Sequence, residues 1–223
     1  MIALDLVGFG FSGRTVSMNY SMDEMADTLV EFIKALKLDH VHAVGASLGS
    51  MYLLRAMTRF PEVFDKVTVL CPGGITKQMP RRIRRMAAPF FGPFAREMYT
   101  KKDVRKALQL CYYDSTVLTK DVLEEYFETL DSYSSRQSLM YCLRNFDEEL
   151  VWDGLKNSNH PVFVLWGEED RVQPFENLGK VQEYLKHGEF FSVRNAGHFF
   201  QEEKADVLSD MIDKYILYGE DGI

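Results

Sequence analysis

Short apolar runs rich in β-branched residues recur along this chain, with amphipathic helical patterns between them. The runs are "IALDL" at 2–6, "HVHAV" at 40–44, "KVTVL" at 66–70, "PVFVLW" at 161–166 and "EFFSV" at 189–193. From 21 to 36, "SMDEMADTLVEFIKAL" places Met25, Leu29, Phe32, Ile33 and Leu36 on one helical face. Ser21 with Glu24 three residues on forms a capping-box signature for its start. A second helix is expected to run from the turn at 45–49 through Arg59, and a last one from about Glu202 to Tyr218. Strands alternating with helices require crossover connections, which predict a mostly parallel sheet covered by helices on both faces: an α/β fold.

Residues 73–155 break this alternation. Their patterns, "DVRKALQLCYYD", "DVLEEYFETL" and "RQSLMYCLRNF", are helical, without strand-like runs. The reading is a core of 1–72 and 156–223 carrying an all-helical insertion over 73–155, a cap above the C-terminal edge of the sheet. Met86, Phe90, Phe91, Phe94, Met98, Tyr112 and Tyr113 in this insertion read as core residues or as the wall of an apolar acyl pocket. The basic run "KQMPRRIRR" at 77–85 reads as a solvated helix face or as an attractor of anions.

Bulk properties exclude several classes. Hydrophobic residues at 46% and charged residues at 26% leave enough apolar side chains for a core, which argues against disorder. A net charge of −7 argues against a nucleic-acid partner. No apolar run has the length of a membrane span, so no stable membrane insertion is expected. Cys71, Cys111 and Cys142 are odd in number and lack metal-ligand spacing; they read as buried thiols of a reducing, cytoplasmic setting. No metal cluster or dinucleotide fingerprint is present, so neither metal nor cofactor is expected. "GFGFSG" at 8–13 opens a loop rather than a helix.

The chemistry-bearing stretch is "HAVGASLGSMYLL" at 42–54. A strand passing straight into a helix through Gly-x-Ser-x-Gly makes a sharp bend that lifts the serine oxygen clear, here that of Ser47. A serine hydroxyl needs a base to take its proton and a third group to orient that base. His40 and His42 flank the strand entering the turn, His160 starts another strand, and His187 sits in a surface-like segment. His198, in the loop "RNAGHFFQEE" after the last strand, belongs to the same sheet edge as Ser47 and is the preferred base. Glu168, Glu169 and Asp170, directly after "PVFVLW", all offer a carboxylate at that edge.

Four stretches, "LDLVGFGFSG", "VGASLGS", "LWGEEDRVQP" and "NAGHFFQEE", together resemble the α/β-hydrolase superfamily, in its capped, esterase-like serine-hydrolase branch. Asp5, Gly8, Gly10 and Ser12 match that family's D-x-x-G-x-G-x-S loop. Gly167, Asp170 and Pro174 match its G-x-x-D-x-x-x-P loop, and this resemblance selects Asp170 over the two glutamates. It implies a Ser47–His198–Asp170 triad, a backbone oxyanion donor at Leu48, no cofactor, and a small, partly apolar substrate. Serine rather than aspartate at position 47 points away from the dehalogenases and epoxide hydrolases of the superfamily. Ser50 stands where a third glycine is common. Family members carry three strands and a second oxyanion-donating loop before "IALDL", and these are absent from the chain. The expectation is that the chain is the downstream part of a longer protein, or else that "IALDL" pairs directly with "HVHAV". The resemblance therefore implies a serine hydrolase acting on an ester-like or related carbonyl bond; the competing expectation is a catalytically impaired or non-enzymatic fragment that at most binds a ligand. Substrate identity and oligomeric state are not legible.

Overall fold

Among the described residues four strands organise the core, β1 (Val41–Ala46), β2 (Phe64–Leu70), β3 (Val162–Gly167) and β4 (Gly188–Val193), all parallel in the order β1-β2-β3-β4. The computed structural model describes residues 1–15, 17–73, 100–130 and 132–219. The basic run at 77–85 and Met86, Phe90, Phe91, Phe94 and Met98 lie outside these residues.

Every residue of β3 is buried, as an inner parallel strand with both faces covered requires. Helix α1 (Met22–Ala35) packs on α2 (Leu48–Arg59), and α2 packs on β1 and β2. The connection from β2 to β3 contains α3 (Lys101–Cys111), α4 (Lys120–Leu130), α5 (Tyr133–Arg144) and α6 (Glu148–Leu155). Helix α7 (Leu178–Tyr184) links β3 to β4; α8 (Phe200–Glu203) and α9 (Ala205–Tyr218) follow. Tyr215 of α9 stacks on Phe163 of β3, with ring centroids 4.5 Å apart.

Two apolar clusters result among the described residues. The larger runs from Met25 and Leu54 through Val67 and Val164 to Trp166 and Phe200, and it includes Val151, Trp152 and Leu155 of α6. The smaller gathers Val104, Leu108, Tyr112, Leu118 and Leu123 between α3 and α4.

The capping box forms as expected. The Ser21 hydroxyl accepts from Glu24 N–H at 3.3 Å, and Ser21 N–H donates to the Glu24 carboxylate at 3.1 Å. The Asp5 loop also closes on itself. Phe11 N–H donates to the Asp5 carboxylate (2.9 Å), and the Ser12 hydroxyl donates to the Asp5 carbonyl (2.5 Å). The expected last helix is split at Lys204 into α8 and α9.

One expectation fails. "IALDL" is not a strand: residues 1–6 pair with no ladder, neither with β1 nor with another strand among the described residues. A cleft of about 660 Å³ separates them from β1, lined by Ile2, Leu4 and Leu6 on one side and Ala43 and Val44 on the other. Extended backbone becomes a strand only where a neighbour supplies donors and acceptors within one strand spacing, and here none is within reach. The same cleft explains a second departure. Leu29 and Phe32, on the apolar helical face shared with Met25 and Ile33, line it and are only partly covered, and Leu36 is exposed.

Val44 is 50% exposed at the open edge, whereas Leu165 is 0% exposed in β3. Leu165→Ala is expected to lower unfolding free energy by about 2–5 kcal/mol. Val44→Ala should cost under about 1 kcal/mol. Urea unfolding of the two variants checks the contrast, and equal costs would contradict this placement of the core.

Two arginines of α2 clamp α1: Arg55 Nε donates to Asp23 at 2.6 Å and Arg59 Nη1 to Asp27 at 2.5 Å. The hydrogen bond from Arg55 holds the Asp23 carboxyl below its ordinary value; desolvation opposes this, and the charges of Arg55 and Arg59 reinforce it. A carboxyl whose folded value is depressed adds stability that is complete above its unfolded value, about 3.9, and is lost as pH falls through the lower folded value. The stability gap between the wild type and Asp23→Asn should therefore be constant near neutrality and close below about pH 4. Urea unfolding across that range tests it; a gap that persists through acidification contradicts it.

Candidate active site

The C-terminal ends of the strands are tied together by backbone hydrogen bonds that continue past the ladders. Ser47 N–H donates to Leu70 O (2.8 Å), Cys71 N–H to Leu165 O (2.9 Å), Glu168 N–H to Val193 O (3.0 Å) and Glu169 N–H to Ala196 O (3.1 Å). Each segment leaving the sheet thus starts from a fixed point on one rim.

Ser47 is the single residue between β1 and α2, and its backbone has φ 49° and ψ −115°. That region is costly for a residue with a Cβ, on the order of 1–3 kcal/mol. The bend holds because the chain passes very close to itself. A Cβ on Gly45 would lie 2.9 Å from the carbonyl oxygen of Gly49, so only glycine fits there. Ser50, buried in the first turn of α2, reaches the carbonyls of Gly45 (2.7 Å) and Leu70 (3.2 Å) through its hydroxyl. A third glycine could not make this tie.

His198 and Asp170 reach the same point from two other loops. His198 Nε2 lies 2.8 Å from Ser47 Oγ, and His198 Nδ1 lies 2.7 Å from Asp170 Oδ2. The other carboxylate oxygen, Oδ1, accepts the N–H groups of Val172 (2.7 Å) and Gln173 (2.8 Å). Two backbone donors fix the orientation of this carboxyl group; in the tautomer with its proton on Nδ1, facing Oδ2, Nε2 is the nitrogen placed to accept from the serine hydroxyl. Asp170 is 5% and His198 4% exposed, so this chain of bonds lies in a low-dielectric setting.

The competing candidates lie elsewhere. Glu168 accepts from Ser192 Oγ (2.7 Å) and Glu169 from Ala196 N–H (2.9 Å). His160 contacts the carbonyls of Pro161 and Phe64 (3.1 and 3.0 Å). His40 and His42 stand beside Asp39 and Asp65, away from Ser47. Leu48 opens α2 directly after Ser47. Its N–H is one of the first amides of the helix, which have no intrahelical acceptor and carry the positive end of the helix dipole.

Cys71 was read from sequence only as a buried thiol. It is fully buried, but its sulfur also shares a space with Asp170 and His198, whose candidate ligand atoms all lie within 4.8 Å of one another. Its place immediately after β2, on the rim shared by the three loops, is the signal that could have found it. These three side chains are the set among the described residues that could approach one cation. The fit is poor: burial and the neighbouring Asp170 push the thiol well above its ordinary value, and the Nδ1 face of His198 is already taken by Asp170. Sequence reading also missed Glu202 and Glu203, whose carboxylates accept from Tyr112 and Tyr126 and from Asp114 N–H, at the end of α3, on α4 and between them.

Comparison with known proteins matches this geometry to a fold. A family model described as the alpha/beta hydrolase fold matches residues 1–205. The chain is 27% identical over 217 residues to YugF of Bacillus subtilis (strain 168), an uncharacterized hydrolase, covering 97% of this chain and 80% of that one. It is 23% identical over 215 residues to a 2-hydroxy-6-oxo-2,4-heptadienoate hydrolase of Pseudomonas putida, covering 92% and 73% of the two chains. Among solved structures, it resembles the 2-hydroxy-6-oxo-6-phenylhexa-2,4-dienoate hydrolase of Rhodococcus sp. strain RHA1 with a TM-score of 0.77. That likeness has 21% identity over 95% of this chain and 77% of that one, and it speaks to the fold alone. No helix of the described residues is long and apolar enough to cross a membrane. The family match spans nearly the whole length, and the chain therefore belongs to the α/β-hydrolase fold family, as an enzyme of the hydrolase class.

Proposed function

We propose that this protein cleaves an ester-like or related carbonyl bond through an acyl-enzyme on Ser47. The observation carrying the proposal is the continuous relay from Ser47 Oγ to His198 to Asp170, with both links shorter than 3 Å. In the first half-reaction Ser47 Oγ attacks the carbonyl carbon while its proton moves to His198 Nε2. Asp170 stabilises the resulting imidazolium, and the ring then delivers that proton to the departing group. In the second half-reaction water attacks the acyl carbon, gives its proton to His198, and Ser47 regains it as the acid product leaves. The Leu48 N–H faces the developing oxyanion, a role worth about 10²–10³ in rate per donor.

Residues 73–155 serve as a helical cap over this rim in the proposal, and the substrate is a small, partly apolar molecule. The dienoate hydrolases among the relatives and neighbours are named for 6-oxo acids, which makes such acids natural test substrates beside simple esters. The three cysteines are unpaired, in keeping with a reducing cytoplasm. Neither metal nor cofactor is required by this chemistry.

A fluorophosphonate probe tests the proposal on the intact chain. Stoichiometric labelling that disappears in Ser47→Ala is expected. His198→Ala and Asp170→Asn should each lower kcat/KM for p-nitrophenyl acetate by about 10³–10⁴. Absence of labelling in the wild type would favour a ligand-binding, non-catalytic role.

The strained backbone at Ser47 yields a separate expectation. Ser47→Gly should unfold at higher urea than the wild type, by about 1–3 kcal/mol, while losing all labelling. A less stable glycine variant would contradict the view that strain at the nucleophile is held by its surroundings.

A further inference from the structure

His198 is carried by a loop with few internal ties. The end of β3 holds one side of it, through the paired bonds of Ala196 with Glu169, and the helices between β2 and β3 hold the other. Phe199 N–H donates to Cys111 O at 2.9 Å. Gly197 lies so close to residues 111–113 that a Cβ there would sit 2.5 Å from Cys111 O and 2.6 Å from Tyr113 N. Glu203 bridges the two parts, accepting from Gly197 N–H (2.7 Å) and from Asp114 N–H (2.8 Å).

Glu202 makes the most concentrated of these links. The Tyr112 phenol donates to one of its carboxylate oxygens at 2.5 Å, and the Tyr126 phenol donates to the other. The two tyrosines come from the end of α3 and from α4. Between them stands Phe199, stacked on Tyr126 (5.9 Å between centroids) and edge-on to Tyr112 (5.7 Å). The Phe199 ring is in turn 5.6 Å from the imidazole of His198. Burial raises both phenols well above their ordinary values, with Glu202 adding to the effect, so they remain donors wherever the enzyme works.

We propose that Glu202 is a positioning residue: gripped by Tyr112 and Tyr126, its carboxylate fastens the helical insertion to the loop bearing His198 and so sets the approach of the imidazole to Ser47. The inference rests on the serine-hydrolase reading for its catalytic consequence. Its physical basis is where the links fall. Contacts made only to stabilise the insertion need not converge, yet these reach Gly197, Phe199, Glu202 and Glu203, on either side of the base. Catalytic geometry must be held within about 0.5 Å, so releasing one side of this loop acts on rate before it acts on substrate affinity.

The test uses the full chain with Glu202→Ala and with the double variant Tyr112→Phe, Tyr126→Phe, which keeps both rings and their packing on Phe199. The rate of fluorophosphonate labelling is expected to fall about tenfold in each, with KM for p-nitrophenyl acetate unchanged. Combining all three substitutions should produce no further loss, because they break one linkage. The far-downfield NMR resonance of the His198 Nδ1 proton should broaden or shift in the same variants. Unchanged labelling rates with an unmoved resonance, whatever happens to thermal stability, overturn the proposal. Should the wild type fail to label, the serine-hydrolase reading falls, and the resonance still decides whether Glu202 positions the ring.

Discussion

The constraint on which the rest depends is the backbone seam along one rim of the sheet. In a parallel ladder every strand ends on the same side, so the segments that follow are delivered to a common edge. Here the seam continues beyond the strands, from Ser47 to Leu70, Cys71 to Leu165 and Glu168 to Val193. These bonds anchor the starting points of three loops whose side chains are far apart in the chain. Ser47 and His198 are 151 positions apart and meet at 2.8 Å because the seam leaves their loops few other paths.

The seam also explains how a strained residue persists. Ser47 has a positive φ that its own side chain disfavours, and its N–H is held by Leu70 while Ser50 ties the turn to both β1 and β2. The local cost is met by surrounding contacts that would all be lost if the turn relaxed, a pattern that clusters at reactive sites. Asp170 is treated similarly: two amides of its own loop fix one oxygen and leave the other for the imidazole.

The two ends of the sheet contrast. Toward β3 the core is closed, with Trp166 and Phe163 fully buried. Toward β1 the apolar side chains of α1 border an open cleft, and the first six residues run along its far wall without entering a ladder. The relay stands between these regions, and its histidine side is steadied by the helices inserted between β2 and β3.

Much of this was readable beforehand. Periodicity, β-branched runs and one capping box located α1, α2 and all four strands, since those signals are local and survive tertiary packing. Loop positions pointed to Ser47, to His198 and to a carboxylate among Glu168, Glu169 and Asp170, because a parallel sheet turns strand-following loops into neighbours; the choice of Asp170 came from the family resemblance. Other features were beyond its reach. Whether "IALDL" becomes a strand depends on a partner rather than on its own composition, and the same holds for the exposure of Leu36 and Phe32. The convergence of Tyr112 and Tyr126 on Glu202 joins residues 90 and 76 positions apart with no periodic signature. Pattern and propensity are properties of neighbours along the chain; hydrogen bonds between loops are set by distances that exist only once the sheet has formed.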